Sequence, residues 1–266
     1  MQSEMLILPD NLRQDTMKQI PIIIPHFKAK EKLSKCLEAI TQQSYKNVEV
    51  FIRDNNEDNI LFTAAINEGL KKFSSDPDIE HILILNQDCY LESETLNLLV
   101  KTFSENQKCG IACPIQITEK GNVFWGGSYD AFPVGRHQKD PLTTYVKDFS
   151  TYWANGACML ISTDLIREIG FLDKNMRFIC SDADYSFTAR ARGWEVIVSH
   201  KARVQHSYGD SSTDGNEWLN KIKCEDIVYF ANKWLTGDLY KSLAFEGESL
   251  TRLKIKAAVE NFSLRP

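Results

Sequence analysis

The chain has 266 residues, of which 43% are hydrophobic and 25% are charged. This is the composition of an ordinary globular protein, and it excludes a long disordered chain. The formal net charge is −5, and lysine and arginine are scattered along the sequence. The basic patch that nucleic acid requires is therefore missing, and we expect no nucleic-acid partner.

The cysteines and the apolar segments bear on the compartment in which the protein works. Seven cysteines occur without a C-x-x-C pair, which is not the pattern of a disulfide framework and fits a reducing cytosol. The alternating sequence around Cys109 and Cys113 favours core packing over metal binding. No signal-like start and no run of roughly 18 apolar residues is present. We expect a cytoplasmic protein, at most peripheral to the inner face of the cell membrane.

Short apolar runs alternate with helical patterns over the first half of the chain. Strands are predicted for four apolar runs, at residues 20–24, 48–54, 81–85 and 109–117. Helices are predicted between them, at residues 29–43, 60–73 and 93–103. Strands that are regularly separated by helices form a mostly parallel central sheet flanked by helices. The sequence therefore predicts an α/β fold.

The second half of the chain is less regular. Residues 118–152 have no period and are predicted to form long loops, which in compact domains are often functional. Strands are predicted at residues 157–161, 195–199 and 202–206. Helices are predicted at residues 162–169, with a Ser/Thr cap and Gly170 at its end, at residues 182–193, and from residue 217 onward.

Three polar triplets follow predicted strands. They are Pro25-His26-Phe27, Asp54-Asn55-Asn56 and Asn86-Gln87-Asp88. Ligands of open α/β sheets bind beyond the carboxyl ends of the strands, so we expect the three triplets to line one pocket. Neither G-x-G-x-x-G nor G-x-x-x-x-G-K-[ST] follows the first strand. A nucleotide would therefore be held without the usual glycine-rich loop.

A series of ordered motifs carries a resemblance to a known family. In chain order they are IIIPHF, FIRDNNEDN, AINEGL, LNQDCYL, NGACMLI, FLDKNMRFICSDADYSFTARARGW and HSYGDSS. Over about residues 20–235 they resemble the inverting nucleotide-sugar glycosyltransferases of family 2, which have the GT-A fold, and particularly the rhamnosyltransferase-like branch. The resemblance implies transfer of a sugar from a UDP or dTDP donor to a saccharide or lipid-linked saccharide in bacterial surface polysaccharide synthesis.

The resemblance also implies a domain organisation. We expect a GT-A domain over residues 1–235, with a donor-binding half at about residues 19–117 and an acceptor and catalytic half at about residues 118–212. A C-terminal helical extension is expected over residues 213–266. These helices could seal the domain, form a homodimer or rest on a membrane surface.

A divalent cation is implied by the motif LNQDCYL, which resembles D-x-D. Asp88 and, by resemblance, His206 would hold Mn²⁺ or Mg²⁺ against the diphosphate of the donor. Asn86 replaces the first acid, so metal binding should be weaker. The alternative for Asp88 is a helix cap, for which Ser93 is better suited. The alternative for His206 is a structural role.

The donor nucleotide is expected to contact the other strand-end residues. Asp54 can accept a hydrogen bond from the N–H of uracil or thymine, although an Asx turn is an alternative and both can hold at once. Arg136 would reach the diphosphate from its loop. The remaining donor residues that the resemblance implies are Pro25, His26, Phe27, Asn56 and Gln87. Asn67 and Gly69, within AINEGL, are better explained by helix packing.

Asp182 is the expected catalytic base. An ionised carboxylate can take the proton of the acceptor hydroxyl as that oxygen attacks, and Asp182 matches the second acid of the family's E-D-x-D. An N-cap of helix 183–192 is the alternative. Ser181 stands where the family has the glutamate that orients the acceptor. Asp184 and Arg190 either support the base or line the acceptor site.

The acceptor is expected to contact the irregular segment. Trp153, Asn155 and Gly156 are assigned to the acceptor, and Trp125 is a further candidate for stacking on a sugar, although a buried tryptophan is commoner. Two other functions stay open. One is a sugar nucleotidyltransferase, which normally has a glycine-rich phosphate loop. The other is a non-catalytic saccharide-binding protein with a degraded site, which Asn86 and Ser181 would fit.

Overall fold

The structure is a computed structural model that describes residues 17–128, 137–207 and 217–234. Every strand and helix predicted in the first half is present, with ends shifted by a few residues. The helix expected from Ser93 begins at Thr95 and is preceded by Glu94, without a side-chain cap. The elements are β1 (Ile20–His26), α1 (Lys30–Thr41), β2 (Val48–Asp54), α2 (Leu61–Phe73), β3 (His81–Leu85), β4 (Cys89–Leu91), α3 (Thr95–Glu105) and β5 (Cys109–Ile117).

The second half contains two short strands inside the segment that was predicted to be loops. The predicted cap of α4 is confirmed, since the Ser162 hydroxyl accepts the Asp164 N–H, and Gly170 ends the helix with φ of +82°. The two strands expected from residue 195 are one strand with a local register shift. The elements are β6 (Val123–Trp125), β7 (Phe149–Ser150), β8 (Cys158–Ser162), α4 (Thr163–Ile169), α5 (Ser181–Ala191), β9 (Glu195–His206) and α6 (Glu217–Trp234).

Within the described residues the strands form one sheet in the order β2-β1-β3-β8-β5-β9-β4, with β6 on β5 and β7 on β9. Strands β1, β2, β3, β5 and β9 run in the same direction, as expected for a mostly parallel sheet. Strand β8 is antiparallel to both of its neighbours. Its first residue therefore lies at the edge where the parallel strands end. We call this edge the carboxyl rim.

Both faces of the sheet are buried, which confirms the α/β architecture. Along β1, Ile23 packs into the cluster that contains α2, α4, α5 and α6, while Ile22 and Ile24 pack with α1 and α3 on the other face. Burial on both sides explains why the central strands β1, β3 and β8 are continuous apolar runs, whereas the edge strand β2 alternates and exposes Val50 and Ile52. Because α6 shares the first cluster, it belongs to the core of the same domain.

The AINEGL motif is a packing motif, as expected. The side-chain amide of Asn67 donates to the Leu172 carbonyl and accepts the Leu172 N–H, at 2.8 and 3.0 Å. A Cβ atom on Gly69 would lie 2.7 Å from the side chain of Ile23, so only glycine lets α2 approach β1 this closely.

The cysteines behave as core residues. All seven are free thiols, and both Cys109 and Cys113 are buried in β5, which confirms core packing for this pair. None of the described helices is long and apolar enough to cross a bilayer.

Candidate active site at the carboxyl rim

The three polar triplets meet at the carboxyl rim and are hydrogen-bonded to one another. The Asn55 N–H donates to the His26 carbonyl at 2.8 Å, which joins the ends of β2 and β1. The His26 ring contacts Gln87 Oε1 through Nδ1 at 2.6 Å. Gln87 also accepts the Phe27 N–H and donates to the Phe27 carbonyl, at 3.1 and 3.0 Å. Pro25 lies within β1. The predicted convergence of the triplets on one rim is therefore confirmed.

A second pair of hydrogen bonds connects this rim to Asp182. The Asn86 N–H donates to the Ala157 carbonyl at 2.8 Å, so the end of β3 lies beside the start of β8. One residue earlier, the Gly156 N–H donates to Asp182 Oδ2 at 2.8 Å. Acids that are far apart in the sequence, at positions 54, 88 and 182, are thus placed along one continuous edge of the sheet.

Asp54 is exposed at the outer end of the rim. Its Oδ1 accepts the Asn56 N–H at 2.9 Å, so the Asx turn considered as an alternative is present. Asn56 Oδ1 accepts the Lys28 N–H at 2.7 Å and ties down the loop after β1. Because the turn uses one carboxylate oxygen and the side chain faces solvent, the turn and a contact to a nucleotide base are compatible.

Asp88 and His206 face each other where β4 pairs with β9. His206 Nε2 lies 3.6 Å from Asp88 Oδ1, and both residues are buried. His206 Nδ1 lies 2.9 Å from Gln116 Oε1. An amide oxygen can only accept, so Nδ1 carries a proton in this contact and Nε2 is the ring nitrogen that faces the carboxylate. Two electron-pair donors this close together suit a divalent cation, and Gln116 fixes the imidazole in the tautomer that a metal needs.

Cys89 is the third member of this cluster. The possible ligand atoms of Asp88, Cys89 and His206 lie within 4.8 Å of one another. Burial raises the pKa of Cys89 well above that of an ordinary thiol, and the nearby Asp88 adds to the effect. Mn²⁺ and Mg²⁺ prefer oxygen ligands such as carboxylates, imidazole serves borderline metals, and thiolate suits softer ones. The chemistry of the cluster therefore fits a metal held by Asp88 and His206.

Three buried amide atoms on the rim have no hydrogen-bond partner among the described residues. They are Asn55 Oδ1, Asn86 Oδ1 and Gln116 Nε2. Buried polar groups in folded proteins are almost always paired, because an unpaired one costs about 1–3 kcal/mol. Two acceptors and one donor at the ends of three strands therefore indicate a place for a polar ligand.

Asp182 lies in the first turn of α5. The residue that precedes this helix is Cys180, with φ of +68°, so the alternative that Asp182 is the N-cap is wrong. The two carboxylate oxygens accept the N–H groups of Gly156 and Ala183, each at 2.8 Å. Burial raises the pKa of Asp182, and these hydrogen bonds oppose the rise only in part. The carboxylate is therefore held in one orientation and is a stronger base than an exposed aspartate.

The absence of a side chain at Gly156 permits this contact. A Cβ atom there would lie 3.1 Å from both Cβ and Oδ2 of Asp182, and 3.2 Å from Phe62 Cζ. Such distances are tighter than nearly all Cβ contacts in proteins, so Asp182 or Phe62 would have to move. Within the motif NGACMLI, Gly156 thus contributes the N–H that binds Asp182 and leaves room for the Asp182 side chain.

Several residues expected to contact the acceptor lie in the interior. Ser181, Asp184 and Trp153 are only 1%, 2% and 2% exposed. The Ser181 hydroxyl is 2.8 Å from that of Thr63, and Trp153 packs against the fully buried Trp125, with ring centroids 6.1 Å apart. Ser181 and Asp184 already have hydrogen-bond partners inside the protein, unlike the amide atoms above, and Trp153 is covered by its neighbours. The expected direct contact is therefore corrected to a supporting role beneath the carboxyl rim.

Arg190 and Asn155 retain some exposed surface. The guanidinium of Arg190 donates to the Tyr152 carbonyl at 3.4 Å and lies 5.3 Å from the Tyr152 ring centroid. Asn155 Oδ1 accepts the Ala157 N–H at 3.0 Å. Both residues stay predicted acceptor contacts. Arg136, expected to reach the diphosphate, lies outside the described residues.

Two members of the site were not identified from the sequence. Gln116 interrupts the otherwise apolar strand β5 close to its end, and this interruption is a signal that could have been used. Cys89 directly follows Asp88 and was given no role of its own, because a thiol in a strand has no distinguishing pattern.

Comparison with known proteins gives the family. A family model described as glycosyltransferase like family 2 matches residues 62–218, which is more than half of the chain, and the protein belongs to this family. Its fold is GT-A-like. The crystal structure of GalNAc-T7 with UDP, GalNAc and Mn²⁺ is similar, with a TM-score of 0.57 at 15% sequence identity. The similarity covers 85% of this chain and 49% of the other, so this chain spans about half of that one. Comparison with curated proteins gives no match.

Proposed function

We propose that this protein is an inverting, metal-assisted hexosyltransferase that uses a UDP- or dTDP-sugar and a saccharide or lipid-linked saccharide acceptor. The observation that carries this proposal is the position of Asp182. Its carboxylate, oriented by Gly156, stands on the same rim as the Asp88–His206 pair and the polar triplets. Displacement at a sugar carbon requires a base for the incoming hydroxyl and positive charge near the departing diphosphate.

Donor binding is assigned to the ends of β1, β2 and β3. Asp54 accepts the N–H of the uracil or thymine base, and residues 25–27 shape the pocket for base and ribose. The unpaired amide oxygens of Asn55 and Asn86 accept hydroxyl groups of the donor. The similar GalNAc-T7 structure holds UDP and Mn²⁺, which supports a uridine nucleotide and a divalent ion here.

Asp88 and His206 would hold Mn²⁺ or Mg²⁺. When bound, this ion offsets the negative charge that grows on the leaving nucleotide. Asn86 supplies an amide oxygen where D-x-D has its first carboxylate, so the protein contributes one formal charge from this motif. The affinity for the metal therefore depends strongly on the phosphates of the donor.

Asp182 removes the proton of the acceptor hydroxyl as that oxygen attacks the anomeric carbon opposite the nucleotide. The attack breaks the bond to the diphosphate, and the configuration at the anomeric carbon inverts. The raised pKa increases the proton affinity of the carboxylate, which favours this transfer. Asn155 and Arg190 are the assigned acceptor contacts.

The finer assignments follow the order of the sequence motifs. We place the protein in the rhamnosyltransferase-like branch and in surface polysaccharide synthesis on the cytoplasmic side of the membrane. The free thiols support a reducing compartment. The packing of α6 into the main core supports a domain that extends to about residue 235.

Measurement of sugar transfer tests the proposal. UDP- and dTDP-sugars, with and without Mn²⁺, are first screened by thermal shift, since a ligand of the native state raises its melting temperature. Transfer to saccharide acceptors then gives the configuration of the product by NMR. The variant Asp182→Asn is expected to lower kcat by about 100- to 10,000-fold, with unchanged affinity for UDP.

The same substitution at an exposed aspartate of α4, Asp164→Asn, serves as the matched control. Full transfer by Asp182→Asn, or a product with retained configuration, would contradict the assigned base. A protein that only binds saccharides would show neither transfer nor hydrolysis of the donor. A nucleotidyltransferase would release pyrophosphate from a nucleoside triphosphate and a sugar phosphate.

A further inference from the structure

The segment that leads into the proposed base contains neither helix nor strand. It covers residues 171–180, between α4 and α5. Proton transfer in a transition state requires a base held close to its productive geometry, and a misplacement of about 1 Å can lower the rate about 100-fold. Helix α2 holds the first part of the segment, through Asn67 on Leu172 and through Thr63 on the carbonyls of Met176 and Arg177. The N–H groups of the residues closest to Asp182 are held by α6, most of which lies beyond the region matched by the family model.

Asp226 of α6 is fully buried and binds the backbone of this segment. Its Oδ1 accepts the Arg177 N–H at 3.0 Å. Its Oδ2 accepts the N–H groups of Phe178 and Ile179 at 2.7 and 3.0 Å. Hydrogen bonds to a carboxylate are stronger than those between neutral groups. One side chain thus fixes three consecutive peptide groups, the last of them three residues before Asp182.

A second contact from α6 reaches the other side of the base. Trp234 Nε1 donates to Asp184 Oδ1 at 2.7 Å, and Lys233 Nζ lies 2.8 Å from the same oxygen. Both Phe230 and Trp234 pack on Phe187 of α5, with ring centroids 5.7 and 5.2 Å away. Helix α6 therefore holds the chain on both sides of Asp182. It binds the backbone of residues 177–179 before Asp182 and the carboxylate of Asp184 after it.

We propose that α6 positions the catalytic base, with Asp226 as the main positioning residue and Trp234, acting through Asp184, as the second. Asp226, Phe230 and Trp234 recur every four residues and so share one face of the helix. The inference rests on the proposed role of Asp182. Because Asp226 acts on residues 177–179 rather than on the donor triplets, its loss changes the rate of transfer and leaves donor binding unchanged.

The first test is the variant Asp226→Asn, which keeps the shape of the side chain and replaces one accepting oxygen with an NH₂ group. We expect kcat to fall by about 10- to 100-fold, with the affinity for UDP and Mn²⁺ unchanged. We also expect the acid limb of the pH profile of kcat to move, because the surroundings of Asp182 change. A residue that only stabilises the fold would not shift this limb.

Glu225→Gln is the matched control. Glu225 is the neighbour of Asp226, is exposed and contacts the guanidinium of Arg177 rather than the backbone of the segment. Its variant removes the same charge from the same helix. We expect kcat and the pH profile of Glu225→Gln to equal those of the unchanged protein.

The variant Trp234→Phe tests the second contact and decides the question if Asp226→Asn does not fold. It keeps an aromatic ring against Phe187 and removes the N–H that binds Asp184. We expect kcat to fall by about 2- to 10-fold, the kinetic equivalent of one hydrogen bond. Trp218→Phe, at a half-exposed tryptophan of the same helix, is the control and should leave kcat unchanged.

The outcomes separate this inference from the proposed function. Unchanged kcat and pH profile in Asp226→Asn and Trp234→Phe, with an inactive Asp182→Asn, would overturn only the positioning role of α6. Equal losses of kcat and UDP affinity would also overturn it, because they indicate general loosening of the fold. An active Asp182→Asn would overturn the proposed base itself.

Discussion

The donor side and the base side of the carboxyl rim are built in different ways. On the donor side, buried amide atoms of Asn55, Asn86 and Gln116 have no partner among the described residues. On the base side, every carboxylate oxygen of Asp182 and Asp226 accepts at least one backbone N–H. We propose that a ligand completes the donor side, whereas Asp182 is oriented by the fold itself. Changes on the donor side should alter affinity, and changes on the base side should alter rate.

After the loss of Asp182 itself, the largest expected effect comes from Gly156→Ala. The added methyl group would lie 3.1 Å from Asp182 Oδ2 and would displace the base or Phe62. We expect kcat to fall by about 100-fold while the affinity for UDP stays unchanged. Steady-state transfer assays and titration with UDP measure the two quantities separately.

Gly69→Ala is the control for this substitution. Its methyl group would lie 2.7 Å from Ile23, in the packing between α2 and β1 rather than at the rim. We expect a loss of about 1–3 kcal/mol in the free energy of unfolding, with unchanged kcat. If Gly69→Ala lowered kcat as much as Gly156→Ala, the contrast between the two sides of the rim would be wrong.

A smaller effect is expected on the donor side from Gln116→Leu. This variant removes the oxygen that fixes the His206 tautomer while keeping a side chain of similar size. Loss of such a partner weakens metal binding by about 10- to 100-fold. Titration with Mn²⁺ in the presence of UDP measures the affinity, and kcat at saturating Mn²⁺ should be preserved.

Cys89→Ser is the matched variant in the same cluster. Because Mn²⁺ prefers oxygen ligands and thiolates suit softer metals, we expect the Mn²⁺ affinity of Cys89→Ser to equal that of the unchanged protein. A loss of affinity as large as that of Gln116→Leu would show that the sulfur is a ligand.

The smallest expected effect is a shift of the pH at which transfer activity is lost. Burial raises the pKa of Asp182, and only the ionised carboxylate is a base. Activity should therefore be lost as the pH falls through this raised value, at a higher pH than for an ordinary exposed aspartate. The pH profile of kcat measures this limb, and the UDP affinity should not follow it. A limb in the ordinary aspartate range would contradict the buried setting of the base.

Much of the fold was predictable because the sheet is buried on both faces. Strands β1 and β3 are apolar runs that end in polar triplets, and β2 also ends in one, so the strands and their convergence could be derived from the sequence. The reversed direction of β8 could not, because Cys158–Ser162 has the same apolar pattern in either direction. The short strands β6 and β7 lie in a segment without a period and depend on tertiary pairing.

The sequence predicted those members of the candidate site whose residue type itself suggests the role. Asp88, His206 and Asp182 were chosen by residue type and motif, and the structure places them on the rim. The partners that orient them were not predicted, because their contacts join distant parts of the chain. Gly156 and Asp182 are 26 positions apart, and His206 and Gln116 are 90 apart. The burial of Ser181, Asp184 and Trp153 was not predicted either, because it depends on how the whole chain folds.

The reversed strand has a consequence for how this architecture can diversify. Strand β5 leaves the sheet at the carboxyl rim, and its neighbour β8 enters at the same rim. The chain therefore departs from β5 and returns to β8 at adjacent points of one rim, and on the way it adds β6 and β7 to the sheet. A change of length between β6 and β7 leaves the register of β5 with β8 intact, so this part of the chain can vary without a change in the central strands.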